Sequence, residues 1–264
     1  MPYVEVPGAR LNVADSGRTD APTLLLVHGN VMNLHMWDPL VDTLESQFRC
    51  IRWDLRLHGA TVDDAERFSY WDAARDGMAV LDHLDLSSAT WVGHSQGGFT
   101  ALRAALLDPT RVQRLVLIDT MSHAFGAHDL AQMGRVRDGF ADGDTDATAR
   151  LLQLLLDSPQ HERAWLPHLI QQAGQRVAKA ISALMDADDI TDHIGTIHHP
   201  AVVIHGRRDI PIPFDRGEEL ARALPGSGPI AGIDEAGHTP PVSHPEHTLG
   251  AVTHFCANTP GVTS

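Results

Sequence analysis

Lysine is almost missing from this 264-residue chain: Lys179 is the only one, and every other permanently cationic side chain is an arginine. Lysine and arginine together number 20 against 34 acidic residues, for a formal net charge of −14. A chain so short of positive charge is repelled by nucleic-acid phosphates, which excludes that class of partner. The charge is spread without an acidic tail, which favours solubility and says little about a substrate. Cysteine is equally scarce. Cys50 and Cys256 cannot build a disulfide framework, and nothing around them has metal-ligand spacing. No run approaches the ~18 apolar residues of a membrane span. The opening, Met-Pro-Tyr-Val-Glu-Val-Pro-Gly, has neither a basic n-region nor an apolar h-region. The expectation is a cytoplasmic protein without membrane attachment.

What is present suits one large α/β domain, or such a core with an inserted subdomain. Leu24-Leu25-Leu26-Val27 is a continuous apolar run, as expected of a strand buried on both faces. Phe48–Trp53, Ala89–Val92, Leu115–Ile118, Ala201–His205 and Ile230–Ile233 are further strand candidates. Helical periods fall between them at Trp37–Leu44, Tyr70–Leu84, Phe99–Leu107 and Arg216–Ala223. This rhythm predicts a mostly parallel sheet with helices on both faces. It breaks from about Met121 to Thr196, where only helical patterns occur, among them Ala147–Leu156 and Trp165–Met185. A helical cap over 121–196 is therefore expected, inserted between core segments 1–120 and 197–264.

Gly93-His94-Ser95-Gln96-Gly97 fits G-x-S-x-G directly after a strand and before a helix. That context carries more weight than the five letters. A sharp strand-to-helix turn lifts a serine hydroxyl clear of the sheet, and glycines two residues to either side leave room for it. Ser95 is the candidate nucleophile. A serine hydroxyl needs a base to take its proton, usually a histidine oriented by a carboxylate. His238, after the last strand candidate and beside Gly237, is the candidate base; His244, His247 and His254 read as solvated. Asp209, in Gly206-Arg-Arg-Asp209-Ile-Pro, is the expected acid, with Asp119 at the end of the preceding strand as the alternative. The oxyanion needs two backbone donors, expected from Asn30 N–H and Gln96 N–H.

These residues, spread from His28 to His238, resemble the α/β-hydrolase superfamily over essentially the whole chain. From the N-terminus through Thr61, Leu34-His-Met-Trp-Asp-Pro39 and Phe48-Arg-Cys-Ile-Arg-Trp-Asp54 are similar to 3-oxoadipate enol-lactonases and related lactone hydrolases. The resemblance implies the α/β-hydrolase fold and hydrolysis of a small-molecule carboxylic ester or lactone by a Ser95–His238–Asp209 triad. Two stretches depart from it. The early cap, Ser122–Gly134, lacks the lysine and tryptophan of that family, and Leu57 replaces a glycine in Asp54-Leu-Arg-Leu-His-Gly59. The same triad also serves carbon–carbon bond hydrolysis and peracid formation. A cofactor-free dioxygenase with Asp119 as working acid is a further alternative, and a ligand receptor on this fold a weaker one.

No metal or cofactor is expected. His198-His199 are adjacent in an extended segment and point apart, and oligomeric state is not encoded in any visible pattern. His94 is expected to pack beneath the serine turn, and His28 to shape the oxyanion loop. Phe125, Trp165, Met32, Met36 and Met121 are candidates for either core or pocket.

Overall fold

The computed structural model describes residues 3–64, 66–156, 160, 161, 163–165, 167 and 174–259. The apolar runs form strands covered on both faces. In β3 (Thr23–Val27), Leu25 and Val27 join one hydrophobic cluster while Leu24 and Leu26 join the other. The same division holds for Leu115 and Leu117 against Val116 and Ile118 in β7 (Val112–Ile118). Side chains alternate across a strand, so a run buried on both sides must be apolar at every position.

The other strands are β1 (Tyr3–Val6), β2 (Ala9–Gly17), β4 (Arg49–Trp53), β5 (Val62–Asp63), β6 (Ala89–His94), β8 (Ala201–Gly206) and β9 (Ala231–Ile233). Their order is β1-β2-β4-β3-β6-β7-β8-β9, with β5 pairing β2. From β4 to β9 all neighbours are parallel; β1, β2 and β5 add antiparallel pairs at one edge. One face carries helices 70–83 and 96–107, whose Tyr70, Ala74, Leu81, Phe99 and Leu102 share a cluster. The other carries helices 38–44 and 245–258, with Trp37, Leu40 and Val252.

Between β7 and β8, the described residues form helices 127–142, 145–155, 175–185 and 191–194 and no strand. The expected helix Trp165–Met185 is seen from Gln175 onward; most of its earlier part lies outside the described residues. The helix over 127–142 was not singled out by periodicity, because its apolar Leu130, Met133, Val136 and Phe140 are interrupted by Gly134 and Gly139. No helix among the described residues is long and apolar enough to cross a membrane.

Sheet order places the site. The chain runs from β3 to β4 on one side and then crosses back to β6 on the other, so β3 and β6 flank the point where winding reverses. Loops after the C-terminal ends of such strands cannot close over one another, and a crevice opens there. Val27 pairs with Gly93, so the two strands end level. That register sets the His28–Asn33 loop beside the His94–Gln96 turn.

Candidate active site

Strand β6 and helix 96–107 meet at a single residue. Ser95 has φ 52° and ψ −116°, a conformation L-residues rarely adopt. Its N–H donates to Ile118 O at 2.9 Å, and its carbonyl accepts from Thr120 Oγ1 at 2.9 Å. The flanking glycines are required by contact. A Cβ on Gly93 would lie 2.3 Å from Gly97 O, and one on Gly97 would lie 2.1 Å from Val27 O. The Ser95 side chain does not cap the helix beneath it and stays available for other partners.

Its partner is His238, whose Nε2 lies 3.1 Å from Ser95 Oγ. His238 Nδ1 lies 2.8 Å from Asp209 Oδ2. A carboxylate has only acceptors, so Nδ1–H donates to it and Nε2 is left as acceptor for the serine proton. All three side chains are at most 6% exposed. Asp209 Oδ1 accepts the Ile212 N–H at 2.9 Å, and His205 Nε2 stands 3.3 Å from Oδ2. Burial works against the charge on Asp209, but electrostatic attraction and hydrogen bonds from the His238 and His205 rings outweigh it and hold the carboxyl below its ordinary range.

Asp119 ends the strand beside β8 and is fully buried, with φ +46°. Its Oδ1 accepts the Gly206 N–H at 2.8 Å, tying the ends of β7 and β8 together. Ligating atoms of Asp119, Asp209 and His238 fall within 4.8 Å of one another. Of the two carboxylates, Asp209 is the one hydrogen-bonded to His238 Nδ1.

Asn30 and Gln96 sit at the mouths of β3 and β6. Neither backbone N–H donates to an acceptor among the described residues. Their side chains are joined to each other: Asn30 Nδ2 donates to Gln96 Oε1 at 3.1 Å and to Ala180 O, on helix 175–185, at 3.1 Å. Tyr70 Oη donates to the same Gln96 Oε1 at 3.0 Å, and Gln96 Nε2 lies 3.3 Å from His58 Nε2. His58 Nδ1–H donates to Arg56 O at 2.8 Å, leaving Nε2 to accept the Val31 N–H at 3.3 Å. Val31 itself has φ +57°, strain for a β-branched residue that these contacts hold in place. Tyr70 and His58 lie 26 and 38 residues from Gln96, and no spacing rule pointed to them.

Two further histidines, His28 and His94, support the loops around the site. His28 Nδ1–H donates to Gly29 O at 2.8 Å, and its Nε2 accepts the Leu55 N–H at 3.0 Å. His94 Nε2–H donates to His238 O at 2.6 Å, and a Cβ on Gly29 would lie 2.4 Å from the His94 ring. Burial holds both neutral, His28 down to about 4 and His94 down to about 3. His199 is buried against Pro109 O at 2.9 Å while His198 is exposed, so the pair does point apart. A cavity of about 570 Å³ opens over Ser95, lined by Met32 and Phe125, among others. Met36 and Met121 belong to the packed core, and so does Trp165.

A model of the alpha/beta hydrolase fold family matches residues 22–182. The chain belongs to the α/β-hydrolase family. It is a hydrolase of that fold. It is 29% identical over 259 residues to a pimeloyl-acyl-carrier-protein methyl ester esterase of Methylococcus capsulatus, covering 94% of this chain and 99% of that protein. It is 27% identical over 249 residues to 3-oxoadipate enol-lactonase 2 of Acinetobacter baylyi, covering 92% of each. A thermophilic esterase from Thermogutta terrifontis superposes with a TM-score of 0.87 at 25% identity, covering 97% of this chain and 96% of that one. The enol-lactonase likeness of the N-terminal stretch thus extends over most of the α/β-hydrolase chain.

Proposed function

We propose that this α/β-hydrolase cleaves a carboxylic ester or lactone through an acyl-enzyme on Ser95. The observation that carries the reading is the unbroken relay from Asp209 Oδ2 through His238 to Ser95 Oγ, at 2.8 and 3.1 Å. His238 Nε2 takes the hydroxyl proton as Ser95 Oγ attacks the carbonyl carbon. The resulting oxyanion is held by the N–H groups of Asn30 and Gln96, each such donor contributing about 2.7–4 kcal/mol in comparable sites. The tetrahedral centre collapses, the bond to the alcohol oxygen breaks, and His238 returns the proton to that oxygen. A water deprotonated by His238 then attacks the acyl carbon, releasing the acid and restoring Ser95. With a lactone the alcohol stays attached and the product is a hydroxy acid. Asp209 keeps His238 in the working tautomer and stabilises the imidazolium formed in each half-reaction. In this reading residues 121–196 form the cap over a core made of 1–120 and 197–264.

The relatives named as an esterase and an enol-lactonase support this chemistry. A common acyl-enzyme has a kinetic signature. With methanol present, two esters sharing an acyl group but differing in leaving group should give the same ratio of methyl ester to free acid. A ratio that changes with the leaving group means direct attack on each ester, and the covalent mechanism fails.

A further inference from the structure

Resting on the ester and lactone reading, we infer that the cavity over Ser95 takes an uncharged apolar acyl chain and rejects one that ends in a carboxylate. The cavity volume of about 570 Å³ is far more than an acetyl group needs and within the range of small-molecule sites. Its inner wall is apolar, built from Met133 and Val136 on helix 127–142, Leu151 and Leu155 on helix 145–155, and Ile181 and Leu184 on helix 175–185. The polar lining on the cap side, His128, Asp129 and Gln132, is exposed and marks the mouth.

Among the described residues no lysine or arginine lines the cavity, and the carboxylate that does, Asp129, repels an anion at the entrance. Arg135 of helix 127–142 is exposed and lies outside the lining, and four other basic groups of these helices are paired. Arg176 Nη2 donates to Asp63 Oδ2 at 3.1 Å, and Lys179 Nζ pairs with Glu66 at 2.9 Å. Arg137 and Arg150 pair with Asp138 and Asp144. A carboxylate carried to the inner wall would lose its hydration and gain no partner, which is strongly unfavourable. The apolar wall of the three helices suits the acyl part rather than the alcohol. The acyl group stays bound through both half-reactions, whereas the alcohol must leave and water must enter by the mouth.

The test is kcat/KM for p-nitrophenyl acetate, butyrate, hexanoate and octanoate, set against mono-p-nitrophenyl adipate, which matches the hexanoate in length and ends in a carboxylate. From acetate to hexanoate kcat/KM should rise about tenfold or more, as four methylenes leave water. The adipate half ester should be about a hundredfold or more slower than the hexanoate. Val136→Phe, checked for folding by its thermal melt, should lower the hexanoate-to-acetate ratio several-fold. A flat or falling chain-length series, or a half ester as good as the hexanoate, overturns the acyl assignment. So does Ser95 labelling by a fluorophosphonate without hydrolysis of any ester in the series. Absence of both labelling and hydrolysis sinks the hydrolase reading as well, which keeps the two failures distinct.

Discussion

Lowering the pH from 8 to 5 perturbs three histidines that this fold keeps neutral. His28, His58 and His94 are at most 1% exposed. Burial lowers His28 to about 4 and the other two to about 3, with neighbouring histidines adding to the effect at His58 and His94. Two of them have no room for a second proton, since His28 Nε2 and His58 Nε2 already accept the N–H groups of Leu55 and Val31. In the unfolded chain each titrates near 6.5. Folded values below unfolded ones mean that the unfolded chain binds more protons, so stability is full above pH 6.5. It falls as the pH drops from 6.5 toward 3–4. At pH 5.5 each histidine favours the unfolded chain by RT ln(1 + 10), so the three together remove about 4 kcal/mol, rising to about 6 kcal/mol at pH 5. That is comparable to the whole stability of an ordinary domain. Urea denaturation at pH 8, 7, 6 and 5.5 measures it directly, and His28→Asn should remove about a third of the decline. Stability at pH 5.5 within about 1 kcal/mol of that at pH 8 would refute the reasoning.

Further expectations follow from single contacts. Asp209→Asn should lower kcat about 10³–10⁴-fold by favouring the wrong His238 tautomer, whereas Asp119→Asn, whose amide oxygen still accepts the Gly206 N–H, should stay within about tenfold in the same ester assay. If Asp119→Asn is the more damaging, the acid is misassigned. Tyr70→Phe keeps its ring against Phe68 and Phe99, at 5.7 and 5.5 Å, and loses only the bond to Gln96 Oε1. About 1 kcal/mol of transition-state stabilisation should go with it, read as kcat about fivefold lower at unchanged KM. Leu57 sits at φ +65° and is 4% exposed. Leu57→Gly should relieve about 1–2 kcal/mol of strain but forfeit about 2–5 kcal/mol of burial, so the urea midpoint should fall, not rise.

The parts legible in the sequence are those written in local order. Leu24–Val27 reads as a doubly covered strand because every position must be apolar there. Gly93 to Gly97 reads as a tight turn because two backbone approaches forbid a Cβ. The choice between Asp119 and Asp209 was harder, since both end neighbouring parallel strands and the sequence carries no lateral distance. Only the packed structure shows Asp209 against His238 and Asp119 turned to the Gly206 N–H. The ties among Tyr70, His58, Asn30 and Gln96 were invisible for the same reason, arising where loops from distant segments meet at the crevice between β3 and β6. The antiparallel edge was missed because β2 mixes Leu11 and Val13 with Asn12, Asp15 and Ser16, a pattern that marks a strand only once its partners are known.

The central claim is an activated serine, and intact mass reads it most directly. After incubation with a fluorophosphonate, wild-type protein should gain one adduct mass, Ser95→Ala should gain none, and peptide mapping should place the label on Ser95. Well-folded wild-type protein that remains unlabelled, or a Ser95→Ala variant labelled as readily, would contradict the account.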